Sequence, residues 1–263
     1  MPLLKLAAAC AALVTLPALA QQADKPVVPD WAIPGSATHK QVPPPPDFHR
    51  DSVHQKTPIG IFSAQSEIGA ALVAGSSSYA NGTYTISSAG YNIWYTRDEF
   101  RFLWNKTSGD VSLAADIAFP DPNGYGDRKA VLVIRQDLED DSKQVVVALH
   151  GLGMIQLAQR PEKGALTGDR EFRVGGRGRP EGKSPDSLIN DIAKRIGIEK
   201  RGNRFSLFVS LEGEPMTRYG PPIELELEEP FYVGIGFCSH LPDVVDTATL
   251  SNVVLVNKAG KVR

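Results

Sequence analysis

Three neighbouring stretches of the sequence place polar side chains among aliphatic ones with a period of two. They read KAVLVIRQDL, QVVVALHG and MIQLAQR, between Lys129 and Arg160. Because alternate residues of a strand point to opposite faces, one face is aliphatic and the other carries the polar groups. If the three strands are neighbours, one surface carries Arg135, Asp137, His150, Gln156 and Arg160. Such a surface could bind a polar ligand, and an ordinary solvated sheet face has the same pattern.

An aromatic side chain would complete a site of this kind, because aromatic rings stack on the apolar faces of sugar rings. Trp94 is the candidate, since its strand neighbours Asn92 and Thr96 are polar. Trp104 shares its face with Phe100 and other aromatic residues, which favours a core position. Trp94 is therefore the aromatic candidate for a ligand contact, and a position in the core is the alternative.

The string ELELEE, from Glu224 to Glu229, is the pattern most typical of an enzyme. On a strand, Glu224 and Glu226 would share a face about 6.6 Å apart. Paired carboxylates of glycosidases lie about 5 to 9.5 Å apart, depending on mechanism. An alternating Glu/Leu strand is equally what a half-exposed strand looks like, and Pro230 ends it at once.

Metal and cofactor sites have little support in the sequence. A loop with Asp121, Asn123 and Asp127 could offer oxygen ligands to calcium, and it also describes a plain Gly/Asn/Pro turn. There is no nucleophile elbow, no phosphate-binding glycine loop and no His-Glu-x-x-His motif. The scattered histidines His39, His49 and His54 match no standard ligand spacing. We expect no cofactor and no metal, with calcium in the loop of Asp121, Asn123 and Asp127 as the alternative.

Cys238 and His240 lie two residues apart in the string FYVGIGFCSH. On an unbulged strand they would point the same way, but a thiolate–imidazole pair usually takes its partners from different segments. We interpret Cys238 as a small buried thiol. His240 is interpreted as a strand-end residue that could border a ligand groove.

Residues 1–20 have the layout of a cleavable export signal, with a short apolar run and Ala-Leu-Ala before Gln21. The run is too short to span a bilayer as a stable helix. Lipidation at Cys10 would require cleavage that leaves almost no apolar run ahead of it. We expect an exported protein, periplasmic or secreted, with no integral membrane segment after signal removal. Cys238 would then be the only mature cysteine, so no intramolecular disulfide is expected.

The rest of the chain divides by composition. Residues 21–57 are proline-rich and predict a disordered spacer. Short alternating runs broken by turn residues predict one all-β domain over residues 58–257. It contains a loop and short-helix insertion at 173–194, where PDSLINDIAK is helix-like, and residues 258–263 form a tail. The formal net charge of −2 gives no electrostatic signature of nucleic-acid or anionic-lipid binding.

Several strings together resemble a known group of bacterial domains. They are W-x-x-x-D-E-F from Trp94, V-I-R at 133–135, A-L-H-G at 148–151 and YVGIGFCSH at 232–240. The sequence is similar to the "regulation of enolase protein 1-like" group of the concanavalin A-like lectin/glucanase superfamily, over residues 58–257. Some relatives are labelled as Tol biopolymer transport proteins. The resemblance implies a jelly-roll sandwich of two curved antiparallel sheets with a concave face. Residues in strings typical of the group are Trp94, Glu99, Arg135, His150 and Gln156.

The leading functional hypothesis is an exported jelly-roll domain that binds a carbohydrate or similar polar polymer on its concave sheet. One alternative is a glycoside hydrolase or lyase that uses Glu224, Glu226 and Glu229, or Glu99 with His150. Another is a structural or protein-interaction module of the envelope. Fold does not decide among them.

Overall fold

A computed structural model of the protein describes residues 49–173, 193–211 and 213–257. Every regular element in these ranges is a strand, and no helix long and apolar enough to cross a membrane is found there. The export signal, most of the spacer, the C-terminal tail and nearly all of the helix-like stretch lie outside the described residues. Ala193 and Lys194, the described end of that stretch, are not helical.

The strands follow one another in short, regular runs, as the alternation predicted. They are β1 (Val53–Gln55), β2 (Ala64–Ile68), β3 (Ser76–Ala80), β4 (Thr83–Ser88), β5 (Ile93–Trp94), β6 (Arg97–Asp98), β7 (Phe100–Thr107), β8 (Val111–Ala118), β9 (Lys129–Arg135), β10 (Gln144–His150), β11 (Met154–Arg160), β12 (Gly168–Arg173), β13 (Arg195–Arg201), β14 (Arg204–Ser210), β15 (Thr217–Glu224), β16 (Phe231–Cys238) and β17 (Asp246–Asn257).

Two large antiparallel sheets account for most strands. The front sheet has eight strands in the order β1-β2-β7-β16-β9-β10-β11-β12, and the back sheet has seven in the order β15-β14-β13-β8-β17-β4-β3. Strands β5 and β6 form a separate two-stranded hairpin. The fold is therefore all-β, a jelly-roll sandwich of two sheets, and the predicted fold class is confirmed.

The core lies between the inner faces of the two sheets. Leu132, Val147 and Ile235 of the front sheet join Leu113 and Leu250 of the back sheet in one fully buried apolar cluster. Full burial of each such side chain contributes about 1.5 to 3 kcal/mol. Because both sheets supply it, this cluster belongs to neither sheet alone.

Strands β9, β10 and β11 are direct neighbours, as the predicted polar face required. Gln144 pairs with Arg135 on one side and Arg160 on the other. At the other end of β10, His150 pairs with Lys129. These residues belong to the outer face of the front sheet, opposite the core.

Some boundaries differ from the sequence predictions. Strand β1, Val53–Gln55, pairs with β2, so the folded domain starts inside the range assigned to the spacer; its polar residues gave no apolar alternation to detect. The Glu/Leu run is not one strand, since β15 ends at Glu224 and β16 begins at Phe231. The turn after Thr107 joins β7 of the front sheet to β8 of the back sheet.

Both ends of the described chain are tied to the same end of the sandwich. The Arg50 amide donates to Asp140 Oδ2 at 3.1 Å, in the turn that follows β9. At the other terminus Asn257 Nδ2 donates to Thr107 Oγ1 at 2.6 Å, where β7 ends. Since β7 and β9 both run antiparallel to β16, these two turns lie at one end of the front sheet.

Candidate functional site

The outer face of the front sheet is crossed by the β5–β6 hairpin. Near its start, Asn92 Oδ1 accepts a hydrogen bond from Lys129 Nζ at 2.7 Å. Ile93 packs in an apolar cluster with Val131 and neighbouring residues of this face. The carbonyl of Trp94 then accepts from Arg160 Nη2 at 3.3 Å. The hairpin therefore runs diagonally from the Lys129 end of β9 to the Arg160 end of β11.

A buried carboxylate holds the hairpin down. Asp98, at the end of β6, accepts from Arg160 Nη2 and Nη1 at 2.8 and 3.0 Å. Gln144 Nε2 donates to it at 2.8 Å, and Arg135 Nη2 lies 3.4 Å from the same carboxylate. The side chains of Asp98, Arg135 and Arg160 are all fully buried. Paired charges of this kind are strongly destabilising to break, because removal of one partner leaves the others buried and uncompensated.

This arrangement differs from the open surface that the sequence predicted for Arg135 and Arg160. Burial lowers the pKa of Arg135, with Asp98 opposing that effect. Both guanidinium groups lie beneath the hairpin, where a ligand in solution cannot reach them in this conformation. The structure gives them an anchoring role.

Glu99 supports the base of the same hairpin. Its carboxylate is buried and accepts from Arg97 Nη2 at 2.5 Å and from the Tyr91 amide at 3.0 Å. Arg50 Nη1 lies 3.9 Å away. In this environment Glu99 is an ion-pair partner within the fold.

The diagonal path of the hairpin leaves one corner of the face beside it. We call it the hairpin corner, formed by Trp94, His150, Met154, Gln156 and Asp169. Trp94 and Met154 are half-buried and Asp169 is exposed, whereas His150 and Gln156 are buried at the floor. Gln156 Nε2 donates to Asp169 Oδ2 at 2.7 Å. The predicted residues Trp94, His150 and Gln156 all belong to this side of the front sheet, with Trp94 toward the Arg160 end of β11 and His150 at the opposite end of β10.

The end of the front sheet where Cys238 pairs with Lys129 carries aromatic residues and a buried thiol. The His240 ring stacks on Tyr125, with centroids 5.3 Å apart, and lies 6.0 Å from Tyr91. Strand β16 ends at Cys238 and His240 has a left-handed backbone, with φ of 66°. Cys238 is a buried free cysteine, as interpreted from the sequence. Burial raises the pKa of its thiol to about 11, so the nucleophilic thiolate is scarce at neutral pH.

Asp137 and the C-terminal glutamates lie away from the hairpin corner. Asp137 follows the end of β9 in a turn, where its Oδ1 accepts from the Glu139 amide at 3.0 Å. Glu224 and Glu226 are exposed, and Glu224 lies 3.7 Å from Arg204 on the back sheet. Glu226 follows the end of β15, so the strand geometry behind the predicted carboxylate pair is not present.

The loop predicted as a possible calcium site forms a closed turn. Asp121 Oδ1 accepts from the Asn123 amide at 2.8 Å, and the Asp121 carbonyl accepts from Arg128 Nη2 at 2.6 Å. The Arg128 guanidinium group therefore already lies against Asp121, the first residue of the predicted site. This is the plain-turn alternative, and Asp127 follows in the same turn.

One group of ligand-type atoms does converge elsewhere in the described chain. His49, Asp140 and Asp141 each offer an atom within 4.8 Å of the others. His49 Nδ1 is 2.9 Å from Asp140 Oδ1, and Lys163 Nζ is 3.4 Å from Asp141 Oδ1. The ammonium group competes with a metal ion for this position.

Sequence reasoning missed Asp98, Gln144, Lys129 and Asp169. A signal for the first two existed, because β9 and β10 are apolar on both faces, as strands covered on both sides are. That pattern indicates a cover over the polar face, and a cover over buried arginines needs a carboxylate. It does not indicate which segment supplies it.

Comparisons with known proteins agree with the fold. No protein-family model and no curated protein sequence matches the chain. A functionally unknown protein from Saccharomyces cerevisiae has a similar crystal structure, with a TM-score of 0.51 and 13% identity over 70% of this chain and 93% of that one. A carbohydrate-binding module from Bacillus subtilis gives 0.40 and 13% over 70% and 92%. Lectin I-B4 from Griffonia simplicifolia gives 0.43 and 11% over 69% and 90%. At these identities the likeness concerns the fold alone.

Proposed function

We propose that this protein is an exported binding module for a carbohydrate or similar polar polymer, with the ligand held at the hairpin corner. The observation that supports it best is a half-buried tryptophan, Trp94, on a hairpin that buried ion pairs fix to a rigid sheet. Aromatic rings pack on sugar rings, and adjacent polar groups bind hydroxyls.

The ion pairs matter for affinity because they fix the ring before the ligand arrives. Arg160 binds both oxygens of Asp98 and also the Trp94 carbonyl. The Tyr95 carbonyl accepts from the Thr167 amide and hydroxyl, both at 2.8 Å. A hairpin held this way loses little conformational entropy on binding, which favours affinity.

The polar groups at the corner suit hydroxyl recognition. Asp169 is exposed and already accepts from Gln156, so its remaining lone pairs can accept hydroxyl protons. His150 lies at the end of β10, on the same face. In this proposal Trp94 stacks on the ring, and Gln156 with Asp169 binds its hydroxyls.

A panel of neutral and acidic glycans, titrated by calorimetry against the chain from Gln21, tests the proposal. We expect Trp94→Ala and Asp169→Ala each to weaken binding about tenfold or more, the effect of about 1.4 kcal/mol. Tyr79→Ala is the matched control, since Tyr79 is an exposed aromatic residue on the back sheet. Equal affinity of Trp94→Ala and the unaltered chain would refute the site. Release of reducing ends or unsaturated products would indicate the enzyme alternative.

Export is a separate part of the proposal. It predicts that a periplasmic or secreted fraction contains the chain with Gln21 at its N-terminus, which N-terminal sequencing measures. Retention of residues 1–20 in a cytoplasmic fraction would contradict it.

A further inference from the structure

The back sheet carries an open groove on its outer face, on the opposite side of the molecule from the hairpin corner. It has a volume of about 450 Å³ and lies over β13, β14 and β15. We call it the basic groove. Its lining includes Glu199, Arg201, Arg204, Phe208, Met216 and Arg218.

Three guanidinium groups make the groove cationic. Arg201 is paired with Glu199, with its Nε 2.9 Å from Oε1 and its Nη2 3.1 Å from Oε2. Arg204 lies 3.7 Å from the exposed Glu224, a loose pair. Arg218 is exposed and has no ion-pair partner among the described residues. Guanidinium groups with free donors bind carboxylates and sulfates in a bidentate manner.

The spacing of Arg204 and Arg218 suits a ligand with repeated charge. Arg218 is opposite Phe208 in the register of β14 and β15. Arg204 lies four residues before Phe208 on β14, about 13 Å along the strand. A polymer that carries an anion on successive units can pair with both, whereas a single small anion fits one of them.

The edge of the back sheet disfavours a peptide as the ligand. Strand β15 is an edge strand and contains Pro221 and Pro222, which have no amide hydrogen to donate. Their carbonyls accept from Arg170 Nη1 at 2.8 and 3.0 Å. At these two positions an added peptide strand would find no amide donor, and both carbonyls already accept a hydrogen bond. The side chains of the groove, including the half-buried Phe208 ring, are left to make the contacts.

We propose that the basic groove binds an acidic polysaccharide. Its carboxylate or sulfate groups pair with Arg204 and Arg218, and a sugar ring packs on Phe208. This site is independent of the hairpin corner, because it lies on the other sheet and shares no residue with it.

The test uses the chain from Gln21 titrated by calorimetry with polygalacturonate, dextran sulfate, neutral dextran and poly-glutamate. We expect binding of at least one acidic polysaccharide and none of neutral dextran. Arg204→Gln with Arg218→Gln should weaken that binding about tenfold or more. Added salt should weaken it further, because exposed charges are screened.

Two controls separate this site from others. Lys56→Gln removes one positive charge, as Arg204→Gln or Arg218→Gln alone does, at an exposed position next to β1 of the front sheet, and it should leave affinity unchanged. Trp94→Ala should also leave it unchanged, so loss of one site is distinguished from loss of the other. The proposal is overturned if neither acidic polysaccharide binds, if Lys56→Gln costs as much as the arginine changes, or if poly-glutamate binds as tightly.

Discussion

Lys129 is an amine buried beneath the base of the hairpin, where it donates to Asn92 Oδ1. Burial lowers its pKa from the ordinary 10.5, and the nearby Cys238 and acidic groups oppose that effect. An amine with a lowered pKa in the folded state binds protons more tightly when unfolded. Its protonation therefore opposes folding at low pH, and this cost falls as pH rises toward 10.5.

This residue gives a prediction with a definite sign. Lys129→Met should raise the free energy of unfolding, relative to the unaltered chain, more at pH 6 than at pH 10. Urea unfolding at the two pH values measures the difference. Lys56→Met, at an exposed lysine, should show a difference that does not change with pH. A benefit of Lys129→Met that grows with pH would contradict this account.

At the residue scale, face assignment was predictable and accessibility was not. Arg135, Gln156 and Arg160 lie on the face that a period of two assigns to them, because strand geometry fixes that period. Whether the face is open depends on Asp98, which precedes β9 by about thirty residues and whose contacts no local pattern specifies. The sequence therefore identified a polar face but not its cover.

At the scale of elements, the β5–β6 hairpin is held by charge more than by its own strands, which have two residues each. Asp98→Asn would leave Arg135 and Arg160 as buried cations without a counter-charge. We expect a loss of about 3 to 5 kcal/mol in the free energy of unfolding, measured with urea at pH 7.

The matched control is Asp243→Asn, at an exposed aspartate, for which the change should stay within about 0.5 kcal/mol. If Asp98→Asn costs no more than this control, the ion pairs do not anchor the hairpin. A large loss of stability with unchanged glycan affinity would instead show that the hairpin does not contribute to the proposed site.

Strand β16 depends on its glycines for close packing. A methyl group on Gly234 would overlap the carbonyl of Leu103 on β7 and lie 2.9 Å from the Phe102 ring. Gly234→Ala should therefore destabilise the protein by about 1 to 3 kcal/mol or more. At Gly168, on β12, an added methyl meets nothing within 4 Å, so Gly168→Ala should change stability by about 0.5 kcal/mol at most. Thermal unfolding compares the two, and equal effects would contradict the packing argument.

Strands joined by a turn with a clear sequence pattern could be predicted. Which sheet a strand joins depends on long-range packing, and this could not be predicted. The turn at Arg201-Gly202-Asn203 predicted a hairpin, and β13 pairs with β14 around it. The turn after Thr107 looks equally like a hairpin, yet it carries the chain from one sheet to the other. The two cases differ in which sheet buries the next apolar face, which a turn does not encode.

At the scale of the whole molecule, the core shared by the two sheets predicts cooperative unfolding. Both sheets contribute to the same buried cluster, so neither can unfold while the other keeps its apolar face covered. In a Trp31→Phe variant, tryptophan fluorescence reports Trp104 on the front sheet and Trp94 on the hairpin that crosses it, and far-UV circular dichroism reports both sheets. Their urea transitions should coincide, and a fluorescence transition at clearly lower urea would indicate that the front sheet unfolds first.

The attachment of both described chain ends to one end of the sandwich has a mechanical consequence. A connection made through the chain before His49 or after Asn257 pulls on the same pole of the molecule, beside the Arg50–Asp140 and Asn257–Thr107 contacts. Tension along such a tether would orient the domain the same way from either side. The opposite pole, with the loops at 151–153 and 239–245, would then point outward from whatever surface holds it.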